Sequence, residues 1–348
     1  MIISKRRFMH EPPHLKTKPT VFVLEPPDEY KAPHDETSLT PATPEIRAYE
    51  TLKLALLVQT LNGTSAMIGG GMAVELLNKD EGITRLHADA EVIIFEDEFD
   101  AVADHLESLG WRVFQKDPES AEAEGAHEFE ARNWIHTQAG YIQTTHDKEP
   151  QPSIHLGMFG MQREVNNQGE TTRINTNGTD LPLEWFLEPD HKTLKHATSI
   201  SGATAHPLPP ELLVALKART NRPKDIADGR ILYQFIDPNE YPRVAAVAHE
   251  FLHGAISETF GAIYDRAFEA SSSLDEIHAT VETEILNHPQ LRSALKQQTP
   301  EFIQQLFEAT AQSPASRDTF IAKAFRLLQP LLHQHEQNID DYLAKIQS

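Results

Sequence analysis

Two acids one position apart carry the clearest chemical potential in this chain. In GITRLHADAEVIIF (82–95), Asp89 and Glu91 stand where a loop tightens into a short apolar strand. Strand side chains alternate faces, so the two carboxylates project side by side from one face. Like charges that close repel, and one pKa rises unless a cation lies between them. Hard carboxylate oxygens at i and i+2 are ligands that Mg²⁺ carrying a nucleotide triphosphate takes. The metal would neutralise the acids and polarise the phosphate. An isolated D-x-E is ordinarily an exposed strand start, so the pair needs support from its surroundings.

That support lies some twenty residues upstream. IGGGMAVELL reads as strand, glycine turn, helix, with Gly69, Gly70 and Gly71 at the junction. Backbone without Cβ lets a ligand approach closely, and a helix N-terminus favours an anion such as phosphate. Arg85 and His87 lead into the acidic pair.

The combined stretch GGGMAVELL…TRLHADAEVII resembles the nucleotidyltransferase superfamily of antibiotic and minimal nucleotidyltransferases and abortive-infection toxins. Gly69, Gly70, Arg85, His87, Asp89 and Glu91 match its signature of a Gly-Gly turn, an Arg, a Thr or His, and D-x-D or D-x-E. A second block, ISGATAHPLPPELLVALKARTNRPKDIADGRIL, is similar to the family's later segment through Glu211, Lys217, Arg222, Lys224, Asp225 and Asp228. The resemblance spans roughly residues 50–235. It implies transfer of a nucleoside monophosphate from Mg²⁺–NTP, ATP first among the donors, to an acceptor hydroxyl. Asp89 and Glu91 would hold the metal. Gly69–Gly71, with Ser65 helping, would cradle the phosphates. Lys217 would contact the triphosphate, and Arg85 would stabilise developing charge. Lys224, Asp225 and Asp228 would brace the helix junction. The family usually adds a third carboxylate, expected in PSIHLGMF, where His155 stands instead. A histidine has a suitable pKa to act as the base there, and Glu128 or Glu130 is a spatial substitute. The alternative is a degenerate enzyme that serves as a nucleotide sensor or interaction module.

A second motif competes. VAAVAHEFLHG places His249, Glu250 and His253 in the H-E-x-x-H pattern, which on a helix puts both histidines on one face for Zn²⁺ with Glu as general base. No distinctive third-ligand signature accompanies it, Glu269 being only a formal candidate. Chance matches are common in a chain with 18 His. The bland reading is a helix with Ala248, Phe251, Leu252 and Ile256 in its core and the histidines at the border. His333, His335 and Glu336 in LLHQHEQ read as a solvated face.

The elements that must position these groups follow from pattern. Thr43 caps a helix, Pro44 takes its first position, and Gly63 ends it, with Ile46, Leu52, Leu56 and Leu57 as its apolar face. DEFDAVADHLESLG is an amphipathic helix and WRVFQ a strand. Short strands are expected near 127–136, 140–145 and 153–159, a loop or hairpin over 164–180, and another strand in HATSISGA. From Pro209 the pattern is helical, with Pro330 a break in the last segment. Trp111, Trp134 and Trp185 fit core positions. The fold class is therefore a mixed α/β sheet with flanking helices, followed by a helical C-terminal region. The plan is an extended leader (1–42) with TVFVL as an edge-strand candidate, an α/β domain (43–236) and a helical domain (237–348).

Totals narrow the partners. A net charge of −21 over 348 residues argues against an extensive nucleic-acid footprint and suits a cationic small-molecule acceptor. A macromolecular acceptor stays open through the toxin-like relatives. With no cysteine, any metal must be held by carboxylate, His or water. Neither a secretory signal nor a membrane-spanning run is legible, so a cytoplasmic protein is expected.

Overall fold

The computed structural model describes residues 41–79, 81–87, 90–109, 111–115, 142–146, 156–176, 178–270, 274–287, 301–302, 304–306 and 317–348. Helix α1 (Pro44–Leu61) starts as its sequence dictates. The Thr43 hydroxyl accepts from the Ile46 N–H at 3.3 Å, and Pro44 has no donor to lose in the first turn. Its buried face holds Ile46, Tyr49, Leu54, Leu57, Val58 and Leu61, and with them Glu50 and Lys53. Leu52 does not belong to that face: it is 50% exposed. The apolar stripe from Ile46 instead runs through 49/50, 53 and 57, the helical repeat of 3.6.

Strand β1 (Met67–Ile68) enters the glycine turn and α2 (Gly70–Leu77) leaves it. The other strands are β2 (Ala90–Phe95), β3 (Trp111–Gln115), β4 (Ile142–His146), β5 (Leu156–Val165), β6 (Thr171–Thr176), β7 (Thr179–Leu181), β8 (Thr198–Ile200) and β9 (Ala203–Pro207), with α3 (Phe99–Ser108) between β2 and β3. The sheet order is β3-β4-β5-β2-β1-β9-β8. It is mixed: β1 pairs antiparallel with β2 and parallel with β9, while β2 runs parallel to β5. The fold is thus α/β, with helices flanking the sheet and a helical C-terminal region. The 164–180 stretch resolves into a β5–β6 hairpin and a β6–β7 pair, reversed at Gly169 and Gly178, both with positive φ. HATSISGA supplies β8 and the turn into β9. The expected 127–136 strand, leader residues 1–40, Trp134, Glu128 and Glu130 lie outside the described residues.

The C-terminal helices are α4 (Pro210–Ala218), α5 (Pro223–Tyr233), α6 (Tyr241–Ala270), α7 (Leu274–Asn287) and α8 (Arg317–Gln347). Prolines open α4 and α5, where the missing N–H costs nothing. Pro330 was expected to break the last segment, yet α8 runs through it. Buried Leu328 and Leu332 flank it, so side-chain packing offsets the roughly 3 kcal/mol an interior proline costs.

Two apolar cores result. The first joins the sheet, α1, α2, α4, the α6 residues Val244, Val247, Ala248 and Phe251, and the α8 residues Ile339, Tyr342, Leu343 and Ile346. The second holds Phe260, Ile263 and Ala267 of α6, Ile277, Val281 and Ile285 of α7, and Phe320, Ile321, Ala324, Leu328 and Leu332 of α8. The first core therefore continues beyond residue 236 and takes in the end of the chain. Trp185 is buried in it, its indole N–H donating to Glu240 at 2.9 Å. Among the described residues no helix is long and apolar enough to cross a membrane.

Candidate functional site

The glycine turn is built by the sheet. The Gly69 N–H donates to the Glu91 carbonyl at 2.8 Å, extending the β1–β2 ladder by one residue. On the other side Leu208 N–H bonds the Ile68 carbonyl at 2.7 Å, which anchors the Pro207–Pro209 segment before α4. Gly70 then turns into α2 with φ of +55°, a conformation that favours glycine. A Cβ there would lie 2.8 Å from Glu91 Oε2, so the Glu91 carboxylate rests on the turn. Gly71 is required for a different reason: a Cβ would collide with the Arg85 guanidinium and the His87 imidazole.

Glu91 is thus brought to the glycines, at the N-terminus of α2, where the helix dipole favours negative charge. Asp89 and His155 lie outside the described residues. The strands that follow them begin side by side, Ala90 opposite Leu156. Ser65 is not brought to the turn. It precedes β1, while the glycines follow it, and its hydroxyl donates to Glu98 Oε2, the other oxygen of that carboxylate pairing with Arg163.

Behind the turn lies a buried polar cluster. Arg85 grips Asp228 with two bonds, Nε to Oδ1 at 3.1 Å and Nη2 to Oδ2 at 2.8 Å. Lys217 donates to the same Oδ2 at 2.6 Å. Burial alone would raise the Asp228 pKa, but the Lys217 and Arg85 cations outweigh it and hold the carboxyl well below the usual range. Asp225 caps α5: it accepts from Arg222 N–H at 3.2 Å and from Thr220 Oγ1 at 2.7 Å. Tyr342 of α8 donates to its carbonyl at 3.0 Å. The two cations expected to meet phosphate therefore join α4, α5 and the 85–87 segment instead. Asp225 and Asp228 brace the helix junction, by capping and by ion pairing.

His87 is held at three points. Its N–H donates to Glu50 Oε1 at 3.1 Å, its carbonyl accepts from Lys53 Nζ at 2.6 Å, and its Nε2 donates to Glu75 Oε1 at 2.9 Å. Glu75 also receives the Thr84 N–H and hydroxyl. Burial, aided by the Arg85 charge, lowers the His87 pKa to about 4 despite Glu75, so the ring is neutral near pH 7. Glu50 is fully buried and one of its oxygens, Oε2, has no hydrogen-bond partner. Burial pushes its pKa up to about 7, against the Lys53 charge and the His87 N–H.

Glu50, Lys53 and Glu75 were not identified from sequence. The signal was available for α1, because the repeat that buries Ile46, Leu54 and Leu57 also buries positions 50 and 53. The H-E-x-x-H pair lies elsewhere, on α6, where His249 and His253 face Asp340 and Glu336 of α8, and Glu250 is exposed. Nothing is described of the Glu269 side chain. Comparison of the chain with protein-family models, with curated proteins and with solved structures finds no match.

Proposed function

We propose that the chain transfers a nucleoside monophosphate from Mg²⁺–NTP, ATP first among the donors, to an acceptor hydroxyl. Asp89 and Glu91 would hold the metal, and Gly69–Gly71 would take the phosphates. His155 would take the acceptor's proton. When bound, the magnesium supplies charge neutralisation on the phosphates. The observation that carries this reading is the Glu91 carboxylate lying on Gly70, at the start of α2. A carboxylate and an anion-favouring helix start in one place suit a cation bridging the acid to an incoming phosphate. Arg85 and Lys217 are assigned to Asp228, as braces that hold the turn against α4 and α5. The net charge of −21 supports a cationic small-molecule acceptor over nucleic acid, and a cytoplasmic setting goes with that chemistry.

The capture of both cations by Asp228 also favours a second reading, a non-enzymatic module that binds nucleotide weakly or not at all. Calorimetric titration of ATP and GTP, with and without Mg²⁺, separates the two. Mg²⁺-dependent binding that is lost in Asp89→Ala and in Glu91→Ala supports the transferase. No binding of either nucleotide to the parent protein leaves the module.

A further inference from the structure

Helix α1 carries apolar residues on two sides. One is the buried face of Ile46, Leu54, Leu57 and Leu61. On the other, Pro44, Ala48 and Leu52 recur every four residues and are exposed, Leu52 to 50%. A surface helix ordinarily keeps polar residues opposite its core face, so a second apolar stripe marks a helix covered from both sides. Together with Ala42, Arg47 and Thr51, the stripe lines an open trough of about 600 Å³. That volume lies in the range of ligand pockets, but such pockets enclose most of their ligand. A trough open along a helix suits an extended segment better than a small molecule.

The chain itself arrives at this trough. Pro41 forms a bridge with Arg85, and the Ala42 N–H donates to the Thr84 carbonyl at 3.1 Å. Residues 1–40 therefore join the folded body beside Ala42 and Pro44, which are part of the lining. Those forty residues hold one apolar patch, TVFVL (20–24). The connecting stretch 25–40 spans up to roughly 53 Å when extended. Leu52 lies only about 12 Å along the helix from Pro44. A segment tethered this closely meets the trough at an effective concentration on the order of millimolar, which a second copy of the chain matches only at millimolar protein. Charge agrees with the tether: Arg47 is the one charged lining residue, and Glu25, Asp28 and Glu29 follow the apolar patch.

We infer that the outer trough of α1 is the docking surface for the chain's own leader, with Val21–Leu24 over Ala48 and Leu52 and the acids after it against Arg47. Docking covers the second stripe and encloses α1 between the leader and the first core. The helix so covered is the one whose Glu50 and Lys53 hold His87.

The chain has no cysteine, so an introduced pair reports proximity alone. In the full chain, Phe22→Cys/Leu52→Cys is oxidised at micromolar concentration. A disulfide within one chain is expected, read as a faster band on non-reducing gels and as a linked peptide pair by mass spectrometry. Phe22→Cys/Gln329→Cys is the control for untargeted collision, since Gln329 is exposed on α8 beside the second core. The Leu52 pair should close about tenfold faster than this control or more, the advantage of a docked over a merely tethered partner. Adding Ala48→Glu should remove that advantage. Phe22→Cys/Thr51→Cys repeats the test with the apolar stripe intact. Closure of both trough pairs no faster than the control overturns the assignment. Disulfides formed between chains also overturn it, by placing a second copy on the stripe. None of these outcomes depends on nucleotide binding.

Discussion

Two clusters of histidines and acids among the described residues lie in opposite surroundings, the first joined by Arg85 and Lys53. Behind the glycine turn, Glu50, Glu75, Arg85, His87, Asp228 and Lys53 are each at most 8% exposed. At the α6–α8 seam, the paired histidines and acids keep 30–52% of their side chains exposed. In the first place water is gone, so polar atoms depend on protein for their partners, and Glu50 Oε2 is left without a hydrogen bond. His87 accordingly has its N–H, carbonyl and Nε2 all bonded. In the second place solvent still screens the pairs, so each contributes little to stability. Burial turns charged residues into architecture, and partial exposure weakens the same contacts.

The widest gap should appear when one acid is removed from each cluster. Asp228→Ala removes the shared partner of buried Arg85 and partly buried Lys217 and should cost about 3–5 kcal/mol in denaturant unfolding. Asp340→Ala should cost about 0–1 kcal/mol. Equal losses would break the contrast. Next in size is Gly71→Ala, which drives a methyl into Arg85 and His87 and should cost about 1–3 kcal/mol. Gly178→Ala is its control: it has positive φ but open space around it, and should cost about 1 kcal/mol.

The pH dependence sharpens the same comparison with smaller effects. The folded pKa of Glu50 is raised to about 7, so folding favours its protonated form. Its contribution is fully present below its unfolded value near 4.5 and is lost as pH rises toward 7. His87 is lowered to about 4, so folding favours its neutral form. Its contribution is present above about 6.5 and is lost as pH falls toward 4. The two slopes oppose each other between those limits. Glu50→Gln should therefore remove the loss on the alkaline side and expose the acid-side loss due to His87, read from unfolding free energies at successive pH values. A Glu50→Gln profile that matches the parent would show that this carboxyl does not titrate there. The smallest effect is expected at His253→Ala, a change within about 1 kcal/mol, as for most exposed ion pairs.

Much of the positioning was legible because it is local. Thr43 before Pro44, the run of glycines between an apolar pair and MAVELL, and the prolines at the starts of α4 and α5 each specify their element within a few residues. The α/β class followed by helices came from the same periodicities. Leu52 and Pro330 were misread because each was judged by its own type. The phase of α1 is fixed by what lies beneath it, and α8 keeps its course through Pro330 because both neighbouring turns are packed.

What the sequence determined by itself, then, is many of the elements, the glycine turn, and an acid at the head of β2. These depend on propensity, capping and alternation, which act over a turn of helix or a few residues of strand. Only the tertiary structure decided which charge meets which. Arg85 and Asp228 are 143 residues apart in the chain, and His253 and Glu336 are 83 apart. The buried pair forms because packing removes water and leaves each charge dependent on partners within reach, and the part-exposed pair because α6 and α8 pack side by side. That selection acts on the assembled core and leaves no mark on the spacing of residues along the chain.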